Sequence, residues 1–302
     1  MGLGKTIQVI AYFLERQKTI RQPKLVVCPT SVLGNWSREM TRFAPELKQV
    51  RYHGLRRQSS QFNDADVVLT TYGLLVRDWD ALAEIDWDVL VLDEAQNIKN
   101  PDAQRAKAAR TLIARHRIAL SGTPVENRLD ELWSLMEFLI PGLFGTRNGF
   151  RRNIAVPIER FGDQRVARRL KMGISPFLMR RVKTDSNVIN DLPEKIERRE
   201  YAPMTREQVA LYEEIMEQSF ERIKGSNDIE RRGHVLAMLT ALKQICNHPD
   251  HYLHGEGPLK GRSGKLRRVE HILDHIMKRG ERTLIFTQYR AMGNLLRDYF
   301  NK

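Results

Sequence analysis

The first half of the chain alternates short apolar runs with longer segments in which apolar residues recur every three or four positions. The short runs predict buried strands, and the longer segments predict helices with one apolar face. The predicted strands are Lys24–Cys28, Val50–His53, Asp66–Thr71, Asp88–Asp93 and Arg117–Leu120. The predicted helices are Lys5–Gln17, Asn35–Phe43, Ala103–Ala114 and Asp130–Leu139. This alternation indicates an α/β fold with a mainly parallel sheet covered on both faces.

A mainly helical pattern replaces the alternation after about Gly145. Its predicted helices are Arg165–Met172, Arg206–Lys224 and Glu230–Cys246, and a glycine-rich stretch at 256–264 predicts a linker. A helix from Lys265, a strand Thr283–Gln288 and a helix Ala291–Phe300 then restart the α/β pattern. We therefore expect three parts: a first nucleotide-binding lobe of the RecA type at 1–144, a helical insertion with its linker at 145–262, and the beginning of a second such lobe at 263–302.

Candidate chemistry begins at the first predicted helix. Gly2 and Gly4 precede Lys5 and Thr6, and Gly-Lys-Thr ahead of a helix is the core of a phosphate-binding loop. Backbone N–H groups and the helix N-terminus favour phosphate there, so Lys5 would reach the β/γ-phosphates of a nucleotide and Thr6 would hold Mg²⁺. The full pattern has another residue five positions before Gly4, which predicts that the loop starts ahead of Met1. Alone, so short a motif also fits an ordinary helix start with a glycine turn.

A second element is a pair of carboxylates after an apolar run. Asp93 and Glu94 directly follow the predicted strand Asp88–Asp93. In a doubly wound sheet, ligands bind at the carboxyl ends of such strands. Asp93 would then face the metal held by Thr6, and Glu94 could accept a proton from an attacking water. The alternative is a strand followed by an acidic helix cap.

Several ordered segments together resemble one known family. Met1 to Thr6, Asp93 to Gln96 and Ser121 to Pro124 are similar to motifs I, II and III of helicase superfamily two. Further segments resemble the Swi/Snf-type DNA translocases in particular, of a bacterial or archaeal style. They are Val27–Trp36, Leu69–Gly73, Asn127–Ser134, Phe177–Asp185 and Gln244–Pro249. These matches follow the family's order over nearly the whole chain, and Gln96 departs from the histidine more usual in motif II.

The resemblance implies an ATPase that uses Mg²⁺ and moves along double-stranded DNA without separating the strands. Lys5, Asp93, Glu94 and Gln96 are then the catalytic candidates. The family's second lobe supplies an arginine that stabilises the transferring phosphoryl group, in motifs beyond Lys302. Such an arginine is worth about 10³–10⁵ in rate in related nucleotidases. We therefore expect this chain alone to bind ATP weakly and to turn it over negligibly.

Another group of residues is expected to couple nucleotide to DNA. By resemblance it contains Gln96 and the loop of Ser121, Gly122 and Thr123, which follows a predicted strand. A Gly-Thr-Pro sequence is also ordinary turn chemistry, so a plain strand-end turn is the alternative for this loop.

Two kinds of segment are candidates for contact with DNA. Pro29, Thr30 and Ser31 follow a predicted strand and precede a helix, and Thr71 ends another strand. Small hydroxyls and a helix N-terminus can bind backbone phosphate without reading bases, although they can equally serve as local helix caps. By resemblance, Arg180 and Arg181 belong to a helical protrusion, with a solvated basic face as the alternative.

Charge is consistent with an anionic partner. The 302-residue sequence has a formal net charge of +13, and the stretch 146–199 carries a large share of that excess. Double-stranded DNA is the predicted partner, with affinity that falls steeply with salt. Nucleoid proteins and RNA polymerase are candidate remodelled targets. No apolar run approaches a membrane span, and the two cysteines suggest no disulfide framework, so a cytoplasmic, nucleoid-associated protein is expected.

Three alternatives remain open at this point. Cys246, His248, His251 and His254 are close enough in sequence to hold zinc, although structural zinc sites usually draw ligands from two separated elements. The chain could also be a non-catalytic DNA- or protein-binding module with an incomplete ATP cleft. A strand-separating helicase of the same superfamily is the third reading, and the long helical insertion argues against it.

Overall fold

Five parallel strands form a single sheet in the order β2-β3-β1-β4-β5. The computed structural model describes residues 3–62, 64–122, 128–181, 196–255 and 257–301. The strands are β1 (Lys24–Cys28), β2 (Gln49–Arg51), β3 (Val67–Thr71), β4 (Trp87–Leu92) and β5 (Ala114–Ala119). The α/β fold expected from the apolar alternation is therefore confirmed.

Helices cover both faces of this sheet. They are α1 (Lys5–Gln17), which precedes β1, and α2 (Thr30–Phe43), α3 (Tyr72–Arg77), α4 (Trp79–Ala83), α5 (Gln104–Thr111) and α6 (Leu129–Leu139). Every residue of β1, β3 and β4 is buried, as expected for central parallel strands. Alternate strand residues point to two separate cores, one containing Phe13 and Trp36 and the other containing Phe62 and Trp87.

Several predicted boundaries in this lobe are wrong. Helix α2 begins at Thr30 and not at Asn35, β2 spans Gln49–Arg51 and not Val50–His53, and β5 spans Ala114–Ala119 and not Arg117–Leu120. The helix predicted over Ala103–Ala114 ends at Thr111, and β5 already begins at Ala114. The reason is tertiary, because β5 pairs with β4 from Ala114 opposite Trp87 onward. An alanine-rich segment favours helix locally, and ladder hydrogen bonds to a neighbouring strand override that preference.

Further helices pack beside the sheet within the first of two compact units, Met1–Leu192. They are α7 (Arg147–Phe150), α8 (Val156–Phe161) and α9 (Gln164–Ile174), and a π-helical segment Arg151–Ala155 joins the first two. Phe150 and Leu170 from these helices form a third apolar cluster with Trp133 of α6.

The second unit, Pro193–Lys302, is helical in the part that the structure describes. Its helices are α10 (Arg206–Lys224), α11 (Asp228–Asn247), α12 (Pro249–Leu253), α13 (Gly264–Lys278) and α14 (Arg290–Phe300). The end of the predicted linker is packed against them, because Arg262 pairs with Glu207 and Asp250 and Ser263 is fully buried.

The predicted strand Thr283–Gln288 is not a strand in the structure. Its residues carry no regular secondary structure, and Leu284 and Phe286 are 81% and 88% exposed. A strand needs a neighbour to satisfy its backbone N–H and C=O groups, and among the described residues of this unit there is no other strand.

A search of the described residues for a helix both long and apolar enough to cross a lipid bilayer finds none.

Candidate functional site

The glycine before α1 has the backbone geometry of a phosphate-binding turn. Gly4 has φ +71°, a left-handed conformation that favours glycine, and its carbonyl accepts the amide of Gln8. α1 starts at Lys5, so Lys5 and Thr6 occupy its first turn, where amides are free to bind an anion. Gly2 lies outside the described residues.

Strand register brings several predicted site residues to one edge of the sheet. Val27 pairs with Leu92 and Cys28 pairs with Thr71, so β1, β3 and β4 end side by side. The segment Pro29–Ser31, Thr71 and the carboxylates of Asp93 and Glu94 all follow these strand ends. The structure therefore groups residues that are up to 65 positions apart in sequence.

Asp93 is held at three points by hydrogen bonds. The indole N–H of Trp36 donates to Asp93 Oδ2 at 2.8 Å, and the amide of Glu94 donates to Oδ1 at 2.9 Å. The hydroxyl of Tyr72 donates to the Asp93 backbone carbonyl at 2.8 Å. Trp36 and Tyr72 are both buried, so this carboxylate has a fixed position. No local pattern in the sequence indicates this contact between Trp36 and Asp93, which lie 57 positions apart.

Burial dominates the electrostatics of Asp93. The side chain's loss of water raises its pKa above the ordinary carboxyl value, while the two hydrogen bonds and the positive charge of Lys5 oppose that shift. Lys5 thus acts electrostatically on Asp93 although 88 positions separate them in sequence. A cation near this carboxylate would relieve the cost of keeping it charged in a buried place.

Glu94 has a strained backbone. Its φ of 49° lies in the left-handed region, which costs a non-glycine residue about 1–3 kcal/mol and is found mainly at functional sites. Asn97 supports this turn, because both its amide and its side-chain NH₂ donate to the Glu94 carbonyl. The Glu94 carboxylate accepts a 2.7 Å hydrogen bond from the side-chain amide of Gln96.

Gln96 connects the acidic doublet to the loop after β5. Its side-chain oxygen accepts a hydrogen bond from Ser121 Oγ at 3.4 Å, while its NH₂ group donates to Glu94. Backbone bonds reinforce the link, since Ala95 N–H donates to the Leu120 carbonyl. Of the predicted coupling residues, Ser121 therefore contacts Gln96, Gly122 follows it, and Thr123 lies outside the described residues.

Arg180 and Arg181 lie on the same side of the first unit as Lys5. All three line one cavity of about 280 Å³, together with Ser121 and an apolar wall from α6 and Phe177–Met179. Both arginines are exposed. Both arginines therefore lie near the phosphate-binding turn, and their assignment to a helical protrusion stays a prediction.

The residues predicted to contact DNA differ in accessibility. Thr30 and Ser31 are exposed at the start of α2. Thr71 is only 5% exposed, so its side chain supports the strand end from inside. Phosphate could reach the first pair without rearrangement.

The histidine-rich segment near α12 is engaged in local structure. His248 Nδ1 accepts the amide of Asp250, and its Nε2 lies 3.0 Å from the Leu259 carbonyl. Cys246 contacts the sulfur of Met204. A search of the described residues finds no group of three or more potential ligands arranged for a metal ion.

The donors near Lys5 fit Mg²⁺ bound with a nucleotide. Each Asp93 oxygen accepts one hydrogen bond and keeps a lone pair, and Mg²⁺ prefers carboxylate, hydroxyl and phosphate oxygens. Asp93 and Thr6 are the residues that would hold it. A bound nucleotide would then meet the first turn of α1 and the carboxylates of Asp93 and Glu94.

Comparison with known proteins gives a consistent picture. The profile described as "SNF2-related domain" matches residues 1–251. A putative ATP-dependent helicase/translocase of Bacillus subtilis is 44% identical over 311 residues, which are 100% of this chain and 34% of that protein. An ISWI chromatin-remodeling complex ATPase of Saccharomyces cerevisiae is 31% identical over 317 residues, covering 99% of this chain and 28% of that protein. The chain spans about a third of the length of these relatives.

A solved structure is similar over the whole chain. The Sulfolobus solfataricus SWI2/SNF2 ATPase core in complex with dsDNA is 44% identical, with a TM-score of 0.62. The match covers 100% of this chain and 64% of that structure. A second structure, the Sulfolobus solfataricus SWI2/SNF2 ATPase core domain, gives a TM-score of 0.61.

Proposed function

The chain belongs to the SNF2-related family, and from that premise we propose that it is the ATP-binding part of a motor that moves along double-stranded DNA. The observation that supports this proposal is the electrostatic effect of Lys5 on Asp93, which follows the carboxyl end of β4 and precedes Glu94. ATP and Mg²⁺ are its proposed ligands, and association with the nucleoid would follow from DNA binding.

In the proposed reaction, each residue has a separate task. The first turn of α1 and Lys5 bind the β- and γ-phosphates. Bound Mg²⁺, held by Thr6 and Asp93, would neutralise phosphate charge. Glu94 accepts a proton from water as the water oxygen attacks the γ-phosphorus and the bond to the β-phosphate oxygen breaks. Gln96 orients the Glu94 carboxylate through its 2.7 Å hydrogen bond.

DNA would bind at the carboxyl ends of the strands, where the exposed start of α2 follows β1. Thr30 and Ser31 offer hydroxyls at the start of α2, which suits sequence-independent contact with backbone phosphate. Arg180 and Arg181 line the same cavity as Lys5, and we propose that they bind phosphate groups there, those of DNA or those of the nucleotide. We also retain the three-part division at 144/145 and 262/263 as a proposal for the longer protein.

Nucleotide binding tests the first half of this proposal. A fluorescent ATP analogue should bind the chain in the presence of Mg²⁺, and Lys5→Ala should weaken binding at least about tenfold, since a charge-assisted contact is worth about 1.5–3 kcal/mol. Lys18→Ala is the matched control, because Lys18 is at the far end of the same helix. Equal affinity of all three proteins would contradict the proposal.

DNA binding tests the second half. Two labelled duplexes of unrelated sequence should bind with the same affinity, and that affinity should fall steeply between about 50 and 200 mM salt. Replacing both Thr30 and Ser31 with alanine should weaken the two duplexes equally. Salt-independent binding, or a strong preference for one duplex, would refute phosphate contact as the basis of recognition.

A further inference from the structure

The buried indole of Trp36 makes an unusual contact for a core residue. Its side chain is 1% exposed and packs in the core that α1 and α2 form against the sheet. Its N–H nevertheless donates to Asp93 Oδ2, a carboxylate oxygen, at 2.8 Å. A hydrogen bond to a charged acceptor is shorter and about twice as strong as one between neutral groups. A buried indole N–H needs a hydrogen-bond partner, but a neutral backbone carbonyl would satisfy it as well as a carboxylate.

We propose that Trp36 is a positioning residue for the Mg²⁺–nucleotide site, in which its indole N–H fixes the Asp93 carboxylate. The inference rests on the proposed function, because it takes Asp93 as a ligand of the nucleotide-bound metal. Hydrogen bonds from outer residues orient metal ligands, and their loss typically costs about 10–100-fold in metal affinity. Trp36 supplies such a bond to one oxygen, and the Glu94 amide supplies one to the other.

The position of Trp36 in the fold gives this contact a second consequence. α2 begins at Thr30, next to the proposed DNA contact, and Trp36 lies between one and two turns further along the same helix. A shift of α2 on DNA binding would therefore move the donor that holds Asp93. Tyr72 repeats the arrangement, since it follows Thr71 at the end of β3 and donates to the Asp93 carbonyl. Helices α2 and α3, which follow β1 and β3, thus each donate a hydrogen bond to Asp93.

Trp87 provides a matched control within the same unit. It is also 1% exposed, and its indole N–H donates at 2.8 Å to a backbone carbonyl, that of Leu82. Trp87 belongs to the core on the other face of the sheet. Replacing either tryptophan with phenylalanine removes a buried indole N–H and a similar volume. Only Trp36→Phe removes a donor to Asp93.

The test is a Mg²⁺ titration of the binding of a fluorescent, non-hydrolysable ATP analogue to the full chain, followed by anisotropy. Trp36→Phe should raise the Mg²⁺ concentration at half-saturation about tenfold or more. Binding of the analogue in excess EDTA should change less than twofold. Trp87→Phe should leave the Mg²⁺ requirement unchanged, although both variants lose thermal stability.

Different results separate this inference from the proposed function. If the wild-type chain binds the analogue without any dependence on Mg²⁺, the proposed function fails. If wild type depends on Mg²⁺ but Trp36→Phe shifts the requirement less than twofold, or no more than Trp87→Phe does, Trp36 is only a packing residue. Should Trp36→Phe not fold, benzothienylalanine at position 36 keeps the bicyclic shape, replaces N–H with sulfur, and gives the same comparison.

Discussion

Arg16→Met should destabilise the first unit because it leaves the buried carboxylate of Asp88 without its arginine partner. Asp88 lies near the start of β4, at the other end of that strand from Asp93. Asp88 is fully buried, and Arg16 holds both its oxygens, with Nε donating to Oδ2 at 3.1 Å and Nη2 to Oδ1 at 2.5 Å. Methionine keeps most of the aliphatic stem and removes the guanidinium. The buried Lys24, which interacts electrostatically with Asp88, remains near the carboxylate.

The expected cost follows from the geometry of this pair. Removing one partner of a buried ion pair typically costs about 3–5 kcal/mol. We take the lower end, about 3 kcal/mol, because the Arg16 side chain is 21% exposed and Lys24 partly compensates Asp88. In a unit of this size, each kcal/mol lowers Tm by about 2–4 °C, so a loss of roughly 6–12 °C is expected.

Tryptophan fluorescence is a suitable assay for this change. The four tryptophans of the chain, residues 36, 79, 87 and 133, all belong to the unit Met1–Leu192, so their thermal transition reports that unit alone. Lys18→Met is the matched control, because its ion pair with Glu15 is 68% and 71% exposed and should be worth less than about 1 kcal/mol.

Two results would refute this reasoning. One is a Tm loss for Arg16→Met that is no larger than the loss for Lys18→Met. The other concerns the double variant, in which Asp88→Asn neutralises the stranded carboxylate in the Arg16→Met background. That second change should recover part of the lost stability. Without any recovery, the cost of Arg16→Met would come from packing of the arginine stem and not from the unpaired charge.

Three further predictions follow from single positions. Gly4→Ala should weaken binding of an ATP analogue about 5–30-fold, because φ +71° costs alanine about 1–2 kcal/mol. The Arg57 side chain lowers the pKa of Asp78 below its ordinary 3.8, so the stabilisation is present above that pH and lost as the pH falls through the folded-state pKa. Asp78→Asn should therefore lower Tm at pH 7, with a deficit that shrinks in acid. Gly264→Ala should lower the temperature at which the second unit loses its helical circular dichroism signal, because a Cβ at this position would lie 1.7 Å from the Pro203 carbonyl oxygen. Gly233→Ala is the control and should not lower it, because a Cβ there meets open space.

The sequence predicted the sheet and the phosphate-binding turn well because their signals are local. Apolar runs such as Lys24–Cys28 became strands with the predicted bounds, and Lys5–Gln17 became a helix with the predicted bounds. Central parallel strands are apolar throughout, and glycine before a helix allows a left-handed turn. Each of these features depends on a few consecutive residues.

Features that depend on distant partners were missed or wrong. The end of the helix predicted over Ala103–Ala114 depends on pairing with β4, which no local propensity records. The predicted strand Thr283–Gln288 has an apolar pattern but no neighbour strand among the described residues of its unit. The role of Trp36 was missed for the same reason, because its side chain is apolar in most of its surface and its single polar atom meets Asp93 across 57 positions.

The central claim is that Lys5 and Asp93 act on one shared Mg²⁺–nucleotide, and a double-mutant cycle tests it most directly. The affinity for a fluorescent ATP analogue with Mg²⁺ would be measured for wild type, Lys5→Ala, Asp93→Asn and the double variant. We expect each single change to weaken binding at least about tenfold. The loss of binding free energy in the double variant should be smaller than the sum of the two single losses by more than about 1 kcal/mol. Losses that simply add within about 0.5 kcal/mol, or an Asp93→Asn variant that binds like wild type, would contradict a shared site.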